Sequence, residues 1–519
     1  MPVGLHFFRA GIRGFFAGGT MNQAKPFASR VRFVILAAAV FISGQAMAAS
    51  GAPGRPNVLF IAVDDLRPEL GCYGNSIIHS PNIDQLAKKG MVFDRAYCQQ
   101  AVCSPSRTSL LTGTRPDTTK VWDLTTHFRK ALPEVVTLPE LFKQQGYFVQ
   151  GMGKIFHLGL DDPASWSVPS TFPSLSTLYY ALPENRALAA NRPGHKGPAF
   201  ECADVPDNTY YDGKLADMAV QALRQCATNQ QPFWLGVGFI RPHLPFIAPK
   251  KYWDLYDPAK IELAPNPFRP EGAPSYAFPE HYEVRGYAGV PDGHVPDDIA
   301  RQLRHAYYAC VSYSDAQIGK VLNELDRLGL RDNTIVILWG DHGWKLGEHD
   351  AWAKHTDVEL DTRAPLMISV PGMAHAGEHS KALVEFVDVY PTLAELAGLP
   401  LPKNLEGLSF KPLLSDPNLP WKSAAFSQYP RNIGKLPIMG YTMRTDRYRF
   451  TRWVHTKDHS QVTAEELYDE QADPQENTNV VNAPKNQELV KKLRQQWQAG
   501  WQGVERELSK TPVPAATKD

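Results

Sequence analysis

The chain has little cysteine and no apolar run long enough to cross a membrane. Six cysteines occur among 519 residues and no Cys-x-x-Cys pair is present, so a structural zinc site is not expected. The apolar run at residues 33–42 is too short for a membrane-spanning helix, which needs ~20 residues. With 43% hydrophobic and 21% charged residues, the composition is that of a globular protein with an ample core.

Acidic residues are absent before Asp64, whereas five basic residues lie within residues 1–48. A basic segment, an apolar run and the small residues Ala46-Met47-Ala48 together predict a secretory signal peptide over residues 1–48, with Met1 or Met21 as its start. We therefore expect export to a bacterial periplasm or secretion. The mature chain would keep 49 of the 54 basic residues against 54 acidic ones, a balance that argues against nucleic acid as a partner.

Three apolar runs, each followed by polar residues, predict buried parallel strands. They lie at residues 57–63, 232–239 and 334–339. Helical patterns occur at residues 82–89, 139–145, 212–227 and 299–328. This alternation favours an α/β fold with a large sheet flanked by helices, in which ligands bind beyond the carboxyl ends of the strands.

A Gly-Leu-Pro-Leu-Pro segment at residues 398–402 marks a predicted domain boundary. Beyond it, strand patterns at residues 440–444 and 448–453 precede a terminal helical pattern at residues 486–501. We therefore predict a catalytic domain over residues 49–402 and a smaller C-terminal α+β subdomain over residues 403–519.

Residues 103–113 read Cys-Ser-Pro-Ser-Arg-Thr-Ser-Leu-Leu-Thr-Gly. This pattern resembles the signature of the sulfatase family, whose fold is similar to that of alkaline phosphatase. The resemblance implies that a formylglycine-generating enzyme oxidises Cys103 to formylglycine, an aldehyde whose hydrate has two hydroxyls on one carbon. One hydroxyl would attack the sulfur of a sulfate ester, and the second would let the sulfated group leave as sulfate. A serine would instead remain trapped as a stable sulfate ester.

Carboxylates follow two of the predicted strands. Asp64 and Asp65 come directly after the first strand, and Asp341 and His342 come after the strand at residues 334–339. Adjacent carboxylates repel each other unless they are exposed or share a cation, and oxygen ligands favour calcium or magnesium over zinc. The resemblance implies a calcium ion held by these four residues and by formylglycine at position 103.

Basic residues occur in four further motifs. Arg107 lies one helical turn beyond Cys103, and Lys154 and His157 are similarly spaced. Two prolines place His243 in a fixed, non-helical loop, and a histidine of ordinary pKa near ~6.5 can act as an acid or a base. The resemblance implies the following roles: Arg107 and Lys154 neutralise the sulfate, His157 removes a proton, His243 protonates the leaving alcohol, and Lys354 faces the substrate.

Further motifs, from Gln-Gln-Ala-Val before Cys103 to Ser-Gln-Tyr-Pro-Arg at residues 427–431, resemble sulfatases that act on 2-O-sulfated uronic acids. The similarity runs over residues 55–480. It implies a sulfated oligosaccharide, of the glycosaminoglycan kind, as the substrate. We expect Lys354 and His243 to meet the sugar carboxylate and Lys345 to hold a further sulfate. Trp344 would either stack on the sugar or pack in the core.

Three alternatives stay open. The chain could cleave sulfate from another algal or host polysaccharide, or it could hydrolyse phosphonate or phosphate monoesters with the same kind of site. A non-catalytic carbohydrate-binding protein would lack a catalytic position, and none is missing here. With Cys103 set aside, five cysteines remain, and we expect a Cys202–Cys226 disulfide.

Overall fold

The first strand of the fold lies in the interior of a seven-stranded sheet. The computed structural model describes residues 55–174, 180–229, 231–278 and 283–508, so the predicted signal peptide lies outside the described residues. Strand β1 (Asn57–Val63) pairs in parallel with two strands, Phe233–Phe239 and Thr334–Gly340. All three strands are completely buried, as their apolar runs predict.

The strands, numbered in chain order, form two larger sheets and one small one. After β1 they are β2 (Met91–Tyr97), β3 (Phe148–Gly153), β4 (Phe200–Ala203), β5 (Phe233–Phe239), β6 (Phe246–Pro249), β7 (Thr334–Gly340), β8 (Leu366–Ser369), β9 (His379–Glu385), β10 (Ala424–Ile433), β11 (Leu436–Thr445), β12 (Tyr448–His455) and β13 (Asp458–Asp469). The large sheet has the order β3-β5-β1-β7-β8-β2-β9. Only β8 runs antiparallel to its neighbours, so the sheet is mixed.

Helices cover both faces of the large sheet. They are α1 (Pro81–Lys88), α2 (Cys103–Thr112), α3 (Pro116–Thr119), α4 (Leu138–Gln144), α5 (Pro183–Ala190), α6 (Tyr211–Thr228), α7 (Lys250–Trp253), α8 (Asp297–Arg327), α9 (Glu359–Thr362), α10 (Val389–Leu396) and α11 (Gln487–Leu508). Successive residues of β1 point to opposite faces: Leu59 and Ile61 join a core that contains residues of α6 and α8, and Val58 and Phe60 join one that contains residues of α2, α4 and α10. The predicted α/β architecture is confirmed.

The C-terminal part of the chain forms a second layer. Strands β10 to β13 make an antiparallel sheet in sequential order. Helix α11 packs on it through Val490, Leu493 and Val504, as the predicted α+β subdomain requires. Gly500, with φ +62° and ψ −168°, interrupts α11 and redirects its last turns.

The predicted Cys202–Cys226 disulfide is wrong, because all six cysteines are free. Cys202 is exposed on the short strand β4, whereas Cys226 is buried on α6 within the apolar core. A pairing inferred from sequence separation alone ignores the directions in which the two side chains point.

Within the described part of the chain, the helices are either too short or too polar to cross a lipid bilayer.

Candidate active site

The strand order of the large sheet brings the predicted carboxylates together. Asp64 and Asp65 follow β1, and Asp341 follows the neighbouring strand β7, so all three lie at one edge of the sheet. The backbone N–H of Asp65 donates to Asp341 Oδ1 at 3.1 Å. His342 Nε2 lies 3.5 Å from Asp65 Oδ1 and 3.6 Å from Asp341 Oδ1. These four side chains are fully buried.

The signature segment forms helix α2, which begins at Cys103. The Cys103 Sγ lies 3.4 Å from His342 Nε2, beside the carboxylates. Arg107, one turn later, donates from Nε to Asp341 Oδ2 at 2.8 Å and from Nη2 to Asp64 Oδ1 at 3.1 Å. Because the guanidinium is fully buried and bonded to both carboxylates, it holds them in fixed positions.

Two lysines face the carboxylates from the other side. Lys154 Nζ donates to Asp64 Oδ2, and Lys354 Nζ lies 3.0 Å from Asp65 Oδ1. Burial would raise the pKa of Asp64, but Lys154, His243 and Arg107 outweigh it and hold the pKa well below its usual range. Burial dominates at Asp65 and raises its pKa to about 7 despite Lys354. The two adjacent carboxyls therefore differ in how readily they ionise.

The two histidines with predicted proton-transfer roles, His157 and His243, lie close to these charged groups. His243 Nδ1 lies 2.6 Å from the Leu244 carbonyl oxygen, and its Nε2 lies 3.3 Å from Glu283 Oε1. Burial, reinforced by Lys354, lowers the pKa of His243 to about 4. Burial, reinforced by Lys154, lowers the pKa of His157 to about 3. Both imidazoles are therefore neutral near pH 7 unless a negative charge arrives beside them.

These groups open into a cavity of about 590 Å³. Cys103, His157, His243 and Lys354 line it, and so does His355, where the sequence departs from the family's pattern. The lining also contains residues that the sequence did not single out, namely Leu124, Lys196, Glu283, Arg285, Gly286 and Asp292. Glu283 is the most informative of them, because it bridges Lys354 Nζ, at 2.9 Å, and His243. No recognisable motif surrounds it, so only the folded chain reveals its position.

Two residues that the sequence linked to the substrate, Trp344 and Lys345, are buried in the structure. Trp344 is fully buried, packs edge-on against Phe246 and lies under Lys354, whose Nζ is 4.8 Å from the ring centre. It is therefore a core residue that supports Lys354. Lys345 is also fully buried and donates to Asp361 Oδ2 and to Thr356 Oγ1. It cannot reach a sugar sulfate.

The site has the donor set that a hard divalent cation requires. Ligand atoms of Asp64, Cys103, Asp341 and His342 lie within 4.8 Å of one another, and so do those of Asp64, Asp65, Cys103 and His243. Three buried carboxylates at one point are stable only if positive charge offsets them. Their oxygens suit calcium or magnesium, so the residues fit such an ion.

A mixed α/β sheet that carries a buried acidic centre, faced by lysines and histidines, defines a hydrolase that acts on anionic esters. Residues 56–399 match the sulfatase family, and residues 347–501 match the family described as N-sulphoglucosamine sulphohydrolase, C-terminal. The iduronate 2-sulfatase of Mus musculus is 38% identical, covering 84% of this chain and 93% of its own length. The chain therefore belongs to the sulfatase family and is a sulfuric ester hydrolase.

Other relatives agree with this assignment. The iduronate 2-sulfatase of Homo sapiens is 37% identical, with 84% of this chain and 93% of its own length covered. Among solved structures, a phosphonate monoester hydrolase from Silicibacter pomeroyi has a TM-score of 0.71 at 22% identity, covering 86% of this chain and 96% of its own. At that identity the likeness supports the fold alone.

Proposed function

We propose that this sulfatase removes the 2-O-sulfate from a uronic acid at the non-reducing end of a sulfated oligosaccharide. The observation that carries the proposal is the identity of 37–38% with two iduronate 2-sulfatases over most of the chain. The cavity of about 590 Å³ is within the range of small-ligand sites, so it has room for a terminal sugar.

We further propose that Cys103 acts as formylglycine and that Asp64, Asp65, Asp341 and His342 hold calcium. When present, the hydrated aldehyde supplies the nucleophilic hydroxyl and the ion polarises the sulfate. The position supports this reading, because Cys103 is the residue of the signature that lines the cavity and also lies beside the carboxylates. Maturation would need a formylglycine-generating enzyme, in keeping with export to the periplasm or secretion.

Peptide mass spectrometry of the active enzyme tests the modification. We expect the peptide that contains residue 103 to carry an aldehyde in place of the thiol. An active preparation in which Cys103 is entirely an unmodified thiol would contradict this step.

The remaining groups bind charge and move protons. Lys154, whose ammonium donates to Asp64, is proposed to hold a sulfate oxygen, and Arg107 keeps the carboxylates oriented. His157 Nδ1 has no hydrogen-bond partner among the described residues, so this neutral imidazole is free to accept a proton. His243 would donate one to the leaving alcohol. Its low pKa rises when an anionic ester enters, since negative charge favours the imidazolium.

The sequence assigned the sugar carboxylate to Lys354 and His243, but we propose that it binds to two other cationic residues. Lys354 and His243 already contact Glu283, so a second carboxylate there would be repelled. Lys196 and Arg285 line the outer part of the same cavity. We assign the uronate carboxylate to these two residues.

A panel of defined disaccharides tests the substrate. We expect the 2-O-sulfated uronide to give the highest kcat/KM, and reduction of its carboxylate to an alcohol to cost about tenfold. Equal cleavage of the reduced sugar or of a 6-sulfated hexosamine would refute the specificity and leave the sulfatase chemistry intact. An aryl phosphonate, run in parallel, tests for phosphonate hydrolysis.

A further inference from the structure

A second cavity of about 850 Å³ lies between the residues that flank the signature segment, strands β10 and β11, and helix α11. Four aromatic side chains line it, namely Phe426, Tyr441, Trp497 and Trp501. Gln99, in its lining, is four residues before Cys103, which corresponds to at most ~14 Å of extended chain. No residue of the proposed catalytic group lines this cavity.

The aromatic rings are held in fixed positions. The Arg452 guanidinium lies 4.7 Å from the centre of the Trp497 ring, and the Arg115 guanidinium lies 5.0 Å from that of Trp501. Trp497 Nε1 also donates to the Tyr441 carbonyl oxygen at 3.0 Å. Because indole rings are large and rigid, they bind the apolar face of a ligand with little loss of conformational entropy.

Both arginines of this cavity are already paired with carboxylates. Arg115 forms two hydrogen bonds with Glu385, at 2.7 and 3.0 Å, and Arg452 lies 2.8 Å from Glu465. Glu406 accepts from the Arg115 backbone N–H at 2.6 Å. Neither arginine is therefore available to pair with an anionic ligand, and no new ion pair would offset the free-energy cost of removing that ligand from water.

Two polar side chains of the lining, Asp117 and Gln99, have hydrogen-bonding capacity that the protein does not use. Asp117 accepts from Gln428 Nε2 at 2.9 Å and from Tyr441 Oη at 2.7 Å, and a carboxylate has lone pairs left after two such bonds. Gln99 is 1% exposed, and neither its amide oxygen nor its nitrogen has a partner in the part of the chain that the structure describes. Aromatic walls with a few oriented polar groups are the make-up of a small-molecule site.

We propose that this cavity is a second, non-catalytic binding site for an uncharged saccharide. A pyranose ring has an apolar C–H face for the indoles and hydroxyls that donate to Asp117. A planar aromatic compound without a donor group would leave the remaining lone pairs of Asp117 unused, and a sulfated sugar would require a free cation. The inference does not depend on which sulfate ester the enzyme cleaves.

Saturation-transfer NMR on the full mature chain tests the site, with cellobiose, maltose, lactose and N,N′-diacetylchitobiose as probes and excess inorganic sulfate to occupy the catalytic cavity. We expect at least one disaccharide to bind with a Kd of about 1 mM. Trp497→Ala should weaken that binding about tenfold. Ser460→Trp, which fills the exposed rim of the cavity without touching the core, should do the same.

Phe268→Ala is the matched control, because this exposed aromatic residue lies outside the lining of the cavity. Its binding should equal that of the unaltered protein. The proposal is overturned if none of the four disaccharides binds, if Ser460→Trp leaves binding unchanged, or if a sulfated disaccharide binds more tightly at this site than its desulfated form. Ser460→Trp keeps the test decisive even where Trp497→Ala fails to fold.

Discussion

The proposed catalytic cavity and the aromatic cavity differ in how their charged side chains are arranged. Around Cys103, the buried side chains of Asp64, Asp65, Asp341, Arg107, Lys154 and Lys354 form one dense charged cluster, and several pKa values are displaced as a result. Around Trp497, each arginine of the lining has its own carboxylate partner. Densely packed, buried charge suits the stabilisation of an anionic transition state, whereas aromatic walls with paired arginines suit the binding of a neutral ligand.

Removal of a carboxylate from the catalytic cavity should have the largest effect. Asp341→Ala deletes a proposed calcium ligand and leaves Arg107 without its 2.8 Å partner. We expect kcat/KM for an aryl sulfate to fall about a thousandfold and the calcium content of the purified protein to fall with it. Asp254→Asn, which changes an exposed ion pair with Lys250, is the control and should leave both values unchanged. Full activity of a metal-free preparation would contradict the proposed calcium site.

The next effect concerns proton donation. His243→Ala should lower kcat/KM for sugar sulfates about a hundredfold, because an alkoxide is a poor leaving group without a proton. The loss for an aryl sulfate should be less than about tenfold, since a phenolate leaves unaided. Steady-state rates on the two substrates measure the difference. Equal losses would assign His243 a structural role.

The sequence anticipated most of this catalytic cavity and little of its wall. Asp64 and Asp341 follow apolar strands, and the parallel pairing of β1 with β7 was enough to bring them together. Glu283 lies in a region without regular periodicity, so its approach to Lys354 depends on long-range packing. Trp344 was ambiguous for a similar reason: the segment after Asp341 passes beneath Lys354, and its burial is a property of the fold rather than of the motif.

Glu283 offers a finer test of charge in the catalytic cavity. Its carboxylate is 19% exposed and faces the space above Cys103, where it would repel a second anionic group on the substrate. Two unit charges ~4 Å apart interact by about 1–4 kcal/mol between water and a partly wet pocket. Glu283→Gln should therefore raise kcat/KM for a 2,3-disulfated uronide, relative to the 2-sulfated one, by about tenfold. An unchanged ratio would show that this carboxylate does not select against neighbouring sulfates.

The smallest effect that we predict concerns Glu505, a carboxyl beside the aromatic cavity whose neighbouring cations already pair with other carboxylates. Lys422 and Arg115 are already paired with Glu385 and Asp388. These two cations therefore stabilise the ionised form of Glu505, which lies near them on α11, only weakly. Burial raises the pKa of Glu505 to about 7, well above the value of 4.5 that an unperturbed glutamate has. The folded protein therefore binds this proton more tightly than the unfolded chain does.

The stabilisation from Glu505 is complete below pH 4.5 and is lost as the pH rises through about 7. Because this carboxyl is partly exposed, the decrease in Tm between about pH 5 and pH 8 should exceed that of Glu505→Gln by only about 1–2 °C. Thermal unfolding followed by circular dichroism measures it, and Glu488→Gln, an exposed glutamate on the same helix, should behave like the unaltered protein. If Glu505→Gln loses as much Tm as the unaltered protein over this range, the pKa of Glu505 is not raised by folding, and its carboxyl is ionised near pH 7 despite its burial.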